Sequence, residues 1–138
     1  MDRKKFYTEQ ILKFIKNKSS KILVLGAGIL DKSIFDEIGY KNVTFSNIEN
    51  SNEKGLNFYE NIHDIKIDSN AYEYCVAHAC IHHSSKPHTA ILELYRVCSK
   101  GALIILNREK NLIFPNYLTK VQVLDLFLQI FYLQLMIG

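Results

Sequence analysis

The sequence lacks most of the features that mark secreted or disulfide-stabilised proteins. Its 138 residues include three cysteines, Cys75, Cys80 and Cys98, an odd number without the spacing of a disulfide framework. No signal peptide opens the chain, because residues 2–5 are polar and run into an amphipathic pattern. These absences favour a reducing compartment, and we expect a cytoplasmic location.

Long apolar runs and dense basic stripes are also lacking. The most apolar segment, residues 121–138, is interrupted by Gln122, Asp125, Gln129 and Gln134 before it reaches the ~20 clean residues of a membrane span. The formal charge of +3 is small, and many of the lysines lie in the first helical pattern, as on a solvated helix face. We therefore expect no membrane span. Nucleic-acid binding is not indicated, because it needs a basic stripe with stacking aromatics.

What the sequence does contain is an alternation of strand-like and helix-like segments. With 48% apolar residues, the chain is long enough for one hydrophobic core and too short for two ordinary domains. Helical periodicity predicts a first helix that closes near residues 17–20, a second over 31–38 and a third that opens at Pro87. Strands are predicted at 21–25, 42–48, 72–79 and 102–106, with a weak signal at 56–59. This order predicts an α/β fold with a doubly wound, mostly parallel sheet.

The predicted ends of two helices rest on residues with known positional preferences. Asp31 is expected to be the N-cap of the second helix, with Gly39 just past its end. Ser84 or Ser85 is expected to cap the third helix, because Pro87 suits its first turn. The apolar face of the third helix comprises Ala90, Ile91, Leu94, Val97 and Cys98.

A glycine turn follows the first predicted strand and is the first candidate for a binding site. In an open α/β sheet, ligands bind at the carboxyl ends of the strands, and Gly26, Ala27 and Gly28 lie there. Glycine permits positive φ and close approach of a ligand, although a purely structural turn is the alternative. A pyrophosphate cradle needs a third glycine where this chain has Asp31, and the P-loop sequence is absent. The pattern therefore favours an adenosine ligand without pyrophosphate and disfavours a dinucleotide oxidoreductase.

The end of the second predicted strand carries candidates for ribose binding. Asn47 and Glu49 are two positions apart and so lie on the same side of an extended segment. Either could accept ribose hydroxyls. Glu49 is the better candidate, since a carboxylate accepts two charge-assisted hydrogen bonds; an exposed loop acid is the alternative.

Histidines and cysteines are concentrated in residues 75–88, which raises the question of a metal site. Cys75 and His78 would point to opposite faces of a strand, and no CxxC or HxxxH pair occurs, so we expect no metal. His82 and His83 follow the strand, where a proton acceptor for the substrate could work. The alternative is that one of them caps or packs under the next helix.

Taken together, residues 21–49, 61–67 and 72–108 resemble the type 11 methyltransferase domain, a family of class I S-adenosylmethionine-dependent methyltransferases. The shared pattern is a GxG turn, an acid after the second strand, an FD-like strand, a leucine-His-His-like turn and a helix that reads LxExxRVxxxG. In this sequence the last parts stand as YEYCVAHACIHHSSKPHTAILELYRVCSKGALIIL. The resemblance implies a Rossmann-like core with S-adenosyl-L-methionine as the cofactor.

The resemblance also implies roles for individual residues. Gly26, Ala27 and Gly28 would contact the amino-acid part of the cofactor, and Asn47 and Glu49, with Ile48 between them, the ribose. Asn61 and Ile62 would contact the adenine edge, and His78 would line the pocket. The sequence departs from the family at three positions: Val24 replaces a common acid, Leu30 a common glycine, and Asn61 an aspartate.

The implied activity is methyl transfer to an unidentified small-molecule or other acceptor. We expect residues 1–110 to form the cofactor-binding core and residues 111–138 an apolar C-terminal helix, with the family's last strand pair lacking. The edge of the fifth strand would then be covered by that helix, by a second copy in a homodimer or by another partner. The alternative is an inactive or incomplete fragment that binds the cofactor or a partner without catalysis.

Overall fold

The computed structural model of the chain describes residues 2–47, 58–59, 62–78, 81, 85–107 and 110–115. Nine helices and strands lie within these residues. They are α1 (Arg3–Phe14), β1 (Ile22–Leu25), α2 (Ile29–Glu37), β2 (Val43–Asn47), β3 (Phe58–Tyr59), β4 (Tyr72–His78), α3 (Pro87–Val97), β5 (Cys98–Asn107) and β6 (Lys110–Pro115).

The strands of this part of the chain form one sheet in the order β3-β2-β1-β4-β5-β6. The first five run parallel to one another, and β6 is antiparallel to β5. The predicted doubly wound, mostly parallel α/β sheet is therefore confirmed. Strand order reverses between β1 and β4, which is the position where such sheets bind ligands.

The central strands are buried on both faces, with a strict period of two. In β1, Ile22 and Val24 pack into the cluster beneath α1 and α2, whereas Leu23 and Leu25 pack into the cluster beneath α3. The same alternation continues in β4 and β5. Because each fully buried aliphatic side chain contributes ~1.5–3 kcal/mol, both helical layers are needed to stabilise the sheet.

Helix α1 begins at an aspartate cap and buries one face against the sheet. The Asp2 carboxylate accepts a hydrogen bond from the backbone N–H of Lys4 at 3.0 Å. The helix ends at Phe14, three residues before the predicted end at residues 17–20. Asn17 explains the difference: its side-chain oxygen accepts from the N–H of Ser19 and so favours a turn over a further helical residue.

Helix α2 starts earlier than predicted and has a different cap. Its N-cap is Gly28, and Asp31 is the third helical residue, so the assignment of Asp31 as N-cap is wrong. The Asp31 carboxylate reaches back to the N–H of Gly28 at 2.8 Å, which satisfies an orphan amide from inside the first turn. The predicted end is confirmed, because Gly39 follows the helix with a φ of 83°.

The C-terminus of α2 is a Schellman motif. The N–H of Gly39 donates to the Asp36 carbonyl at 3.2 Å, and the N–H of Tyr40 donates to the Phe35 carbonyl at the same distance. The left-handed conformation of Gly39 allows both bonds to form.

Helix α3 begins at Pro87 as predicted, but its cap is Lys86, with no side-chain hydrogen bond. Ser85 precedes this cap, and Ser84 lies outside the described residues. The helix also ends before Cys98, which is the first residue of β5 and not the last of the helical face. Gly101 lies inside β5, next to the register shift in its pairing with β4, as glycines at strand irregularities do.

Strand β6 corrects the expectation for the C-terminal segment. Residues 111–115 pair with β5 and are not helical, while residues 116–138 lie outside the described part of the chain. Short apolar runs do not distinguish a helix from a strand, and the open edge of β5 offers unpaired backbone groups that favour a strand. Within the described ranges, no helix is long and apolar enough to cross a membrane.

Substitution of Gly39 tests the turn after α2. Gly39→Ala should lower the free energy of unfolding by ~1 kcal/mol, because alanine is strained at positive φ. A steric clash is not the cause, since a Cβ atom at this position would meet nothing within 4 Å. Urea denaturation measures the loss. Gly39→Asn is the matched control and should lose less, because asparagine tolerates the left-handed region; equal losses in both variants would contradict this account.

Candidate functional site

The glycine turn lies at the carboxyl edge of the sheet, between the end of β1 and the start of α2. Gly26 has a φ of 63°, so the expected positive φ occurs there. Gly28 has a φ of −124° and a ψ of −169°, an extended conformation that other residues also adopt. Of the two glycines, only Gly26 has a backbone conformation that favours glycine over other residues. At Gly28, close approach of a ligand remains the physical reason for a missing side chain.

Hydrogen bonds within the protein already use two N–H groups of this turn. The N–H of Ala27 donates to the Ser46 carbonyl of β2 at 2.8 Å, and the N–H of Gly28 donates to Asp31 Oδ2 at 2.8 Å. A phosphate cradle needs such N–H groups to point at the ligand. The turn therefore suits a ligand whose nearest part is not a phosphate, as expected for S-adenosyl-L-methionine.

Asp31 is the centre of a polar cluster that includes two residues of α1, the buried Tyr7 and the exposed Arg3. Besides the amide of Gly28, the carboxylate accepts the Tyr7 hydroxyl at 2.7 Å through Oδ1. His78, at the end of β4, has Nδ1 3.6 Å from the same oxygen. Its ring stacks on Tyr7 with centroids 4.1 Å apart, and Arg3 Nε donates to His78 Nε2 at 3.4 Å. We call Arg3, Tyr7, Asp31 and His78 the Asp31 cluster.

The geometry assigns a tautomer to His78. Nε2 accepts a hydrogen bond from the Arg3 guanidinium, so the hydrogen of the ring lies on Nδ1, towards Asp31. The cluster thus runs from the guanidinium, through the imidazole ring, to the carboxylate. Tyr7 is fully buried and Asp31 is only 6% exposed, so these bonds form away from bulk water, where they are strongest.

Two members of this cluster were not identified from the sequence. Tyr7 was assigned only to the buried face of the first helix, and Arg3 only to its charged residues. A buried tyrosine generally needs a partner for its hydroxyl, which is the one signal that pointed to a polar contact. The identity of that partner depends on how α1 lies on α2.

Of the other residues that the sequence singled out, the structure describes Ile62, Asn47 and Val24. Ile62 is buried, in the cluster beneath α3 that also holds Leu25 at the end of β1. Asn47 is the last residue of β2. Val24 is fully buried beneath α1 and α2, so the family's usual acid is replaced by a core residue. Ile48, Glu49, Asn61, His82 and His83 lie outside the described residues.

The ExxR pair of α3 fixes the segment that precedes β4. The Arg96 guanidinium donates to the Ile65 carbonyl at 2.8 Å and to the Ile67 carbonyl at 2.9 Å. Glu93 binds the same guanidinium and also accepts from the N–H of Ile65 at 2.9 Å. The segment held in this way begins three residues after Ile62, which is a predicted cofactor contact.

Comparison with known families adds the decisive observation. A family model described as a methyltransferase domain matches residues 38–106, which is half of the chain. The chain belongs to this methyltransferase-domain family. The matched range includes β2, β4, α3 and the Glu93–Arg96 pair. It begins after the glycine turn, whose role therefore rests on the geometry above.

Solved structures of methyltransferase domains share the fold. A methyltransferase from Methanococcus maripaludis, described as S-adenosyl-L-methionine-dependent, is 15% identical with a TM-score of 0.61. The match covers 76% of this chain and 56% of that protein. A methyltransferase-like protein of Bacillus halodurans C-125 is 13% identical with a TM-score of 0.60, and the match covers 72% of this chain and 50% of that protein. A chain from the complex of the Haloferax volcanii Trm112 methyltransferase activator with a methyltransferase is 15% identical with a TM-score of 0.57. That match covers 75% of this chain and 51% of the other.

At these identities the likeness establishes the fold alone. The chain spans about half the length of the structures that it matches. No curated protein matches the sequence. Among the residues that the structure describes, no group of three or more histidine, cysteine or acidic side chains could hold a metal ion.

The Glu93–Arg96 pair predicts a specific pH dependence of the methyltransferase domain's stability. The hydrogen bond from Arg96 holds the pKa of Glu93 below its ordinary value. A carboxyl group with a lowered folded pKa stabilises the fold above its unfolded pKa of ~4.3, and this stabilisation is lost as the pH falls through the folded value. Glu93→Gln should therefore be less stable than the parent at pH 7, with a difference that shrinks towards pH 3 in urea denaturation.

Glu37→Gln is the control for this measurement. Glu37 pairs with Lys4 at 2.9 Å, but both side chains are exposed, and such pairs contribute ~0–1 kcal/mol. Its variant should show a small difference from the parent at both pH values. A Glu93→Gln difference that stays constant from pH 7 to pH 3 would contradict the assignment.

Proposed function

We propose that the chain is the cofactor-binding part of a cytoplasmic S-adenosyl-L-methionine-dependent methyltransferase that acts on a small-molecule or other acceptor. The observation that carries this proposal is the glycine turn at the carboxyl edge of the sheet, whose Ala27 and Gly28 amides are bound internally and so leave no phosphate cradle. Membership of the methyltransferase-domain family supports it.

The proposed cofactor contacts follow the strand order. Gly26, Ala27 and Gly28 would lie against the amino-acid part, and the extended conformation of Gly28 supports a close approach. Asn47, with Ile48 and Glu49 after it, would bind the ribose from the end of β2, which neighbours β1.

The adenine edge would lie against Asn61 and Ile62. Support comes from Ile62, which is packed in the same cluster as Leu25, immediately before the glycine turn. His78 would line the pocket from the end of β4. Since its ring is 8% exposed and stacked on Tyr7, we propose that it acts as part of the wall and not as a base.

When bound, S-adenosyl-L-methionine supplies an electrophilic methyl group. The protein's own contribution is to hold the acceptor in line with that group, and positioning of this kind can lower a barrier by ~7 kcal/mol or more. A base is needed only if the acceptor must lose a proton, as a hydroxyl would. His82 and His83 are the proposed bases, because they directly follow Ile81, which is buried in the α3 cluster.

A non-catalytic binding module is the alternative. It is favoured by Val24, because a fully buried aliphatic side chain cannot supply the carboxylate that relatives commonly place there. The backbone groups at the edge of β5 are paired with β6, so this edge does not have to be covered by a second copy or another partner.

Calorimetric titration tests the cofactor assignment. The parent protein should bind S-adenosyl-L-methionine and should not bind NAD. Gly28→Val should weaken cofactor binding at least tenfold, because the added side chain occupies the surface facing the ligand while the extended backbone at Gly28 accepts valine without strain. Circular dichroism should be unchanged. Binding of NAD without binding of S-adenosyl-L-methionine would contradict the assignment. So would an affinity of Gly28→Val for S-adenosyl-L-methionine equal to that of the parent.

Methyl transfer is tested separately from binding. Incubation of the protein with cofactor labelled in its methyl group and with fractionated small molecules from a cell extract should yield a labelled product. A heat-denatured sample is the control. If no label is transferred although the cofactor binds tightly, the non-catalytic alternative is supported and the catalytic proposal fails.

A further inference from the structure

The Asp31 cluster joins α1 to the glycine turn, although α1 contributes none of the proposed cofactor contacts. Tyr7 lies in the second turn of α1, and its hydroxyl is bonded to Asp31 of α2. This contact is independent of the apolar packing of α1, which Phe6 and Ile11 also provide. Its position next to Gly28 suggests a role beyond holding the helix in place.

Three hydrogen bonds fix the peptide groups of the glycine turn. The Ala27 amide is bonded to Ser46, and the Gly28 carbonyl accepts from the N–H of Lys32 at 3.3 Å. Both are backbone bonds of the sheet and the helix. The third, from the Gly28 amide to Asp31, is made to a side chain and so depends on how that side chain is oriented.

The orientation of Asp31 depends in turn on Tyr7. One carboxylate oxygen binds the Gly28 amide, and the other binds the Tyr7 hydroxyl at 2.7 Å. Two bonds on opposite oxygens fix the carboxylate about its χ2 torsion, which is otherwise broad. His78 stacks on the Tyr7 ring and keeps that ring in place. Removal of the hydroxyl therefore takes away the hydrogen bond on Oδ1, leaves His78 Nδ1 at 3.6 Å as a weaker neighbour of that oxygen, and should loosen the Gly28 amide.

We propose that Tyr7 is a positioning residue for the cofactor: through Asp31 it fixes the Gly28 peptide, and it thereby makes cofactor affinity depend on the docking of α1. This inference rests on the proposed function, in which the glycine turn contacts the cofactor. By linkage, cofactor binding also stabilises the docked position of α1.

Tyr7→Phe is the direct test, because it keeps the buried ring and its stacking and removes only the hydroxyl. Tyr40→Phe is the matched control. Tyr40 is also buried in the cluster beneath α1 and α2, and its hydroxyl donates to the Ile15 carbonyl, remote from the glycine turn. Both variants remove a buried hydroxyl that is hydrogen-bonded, so both should lose stability.

Two readouts separate positioning from stability. In the cofactor-free protein, the NMR amide signal of Gly28 should shift and exchange with solvent faster in Tyr7→Phe, but not in Tyr40→Phe. In calorimetry, Tyr7→Phe should bind S-adenosyl-L-methionine about tenfold more weakly, the change expected from ~1.4 kcal/mol, while Tyr40→Phe binds as the parent does.

The outcomes distinguish this inference from the proposed function. An unchanged Gly28 signal in Tyr7→Phe overturns the positioning role, whether or not the cofactor binds. A shifted signal with unchanged affinity, or equal loss of affinity in both variants, overturns the link to the cofactor. A parent protein that does not bind S-adenosyl-L-methionine overturns the proposed function and that link, while the Gly28 signal still decides whether Tyr7 positions the turn.

Asp31→Asn gives the same test if Tyr7→Phe does not fold. Asparagine offers one acceptor oxygen in place of two, so the Tyr7 hydroxyl and the Gly28 amide can no longer both donate to this side chain. The same change in the Gly28 signal and the same loss of affinity are expected. Retention of both would overturn the proposal.

Discussion

Burial of both faces of the central strands is the constraint on which the rest of this structure depends. Val76 packs beneath α1 and α2, while its neighbour Cys75 packs beneath α3. A strand that is apolar on both sides needs helices on both sides, and parallel neighbours need crossovers to supply them. The carboxyl ends of β1, β2 and β4 then meet at one edge. The candidate site lies at this edge, where the glycine turn at the end of β1 comes beside His78 at the end of β4.

The same edge contains a polar cluster that the core must accommodate. A carboxylate that is 6% exposed is costly unless its oxygens are bonded, and Asp31 has partners from α1 and from the turn before α2. The Asp31 carboxylate also occupies the Gly28 amide, which a phosphate cradle would need free. One side chain thus links the first turn of α2 to the docking of α1.

The LxExxRV pattern has a structural explanation in this chain. Glu93 and Arg96 are one helical turn apart and form an ion pair, and Arg96 reaches the carbonyls of residues 65 and 67. A guanidinium has enough donors to bind several carbonyls and a carboxylate at once, which lysine cannot match. The pattern therefore fixes the approach to β4.

The sequence by itself determined the fold class, the glycine turn and the family, because the alternation of burial, the turn residues and the order of motifs are local or sequential properties. It also gave Gly39 and Pro87 as helix boundaries. It missed β6, since a short apolar run becomes a strand only when an open edge such as that of β5 is beside it. It assigned Asp31 to the wrong cap position, and it had no means to pair Tyr7 with Asp31. Those outcomes were decided by tertiary structure alone, because hydrogen bonds between residues 24 positions apart depend on how the helices lie on the sheet.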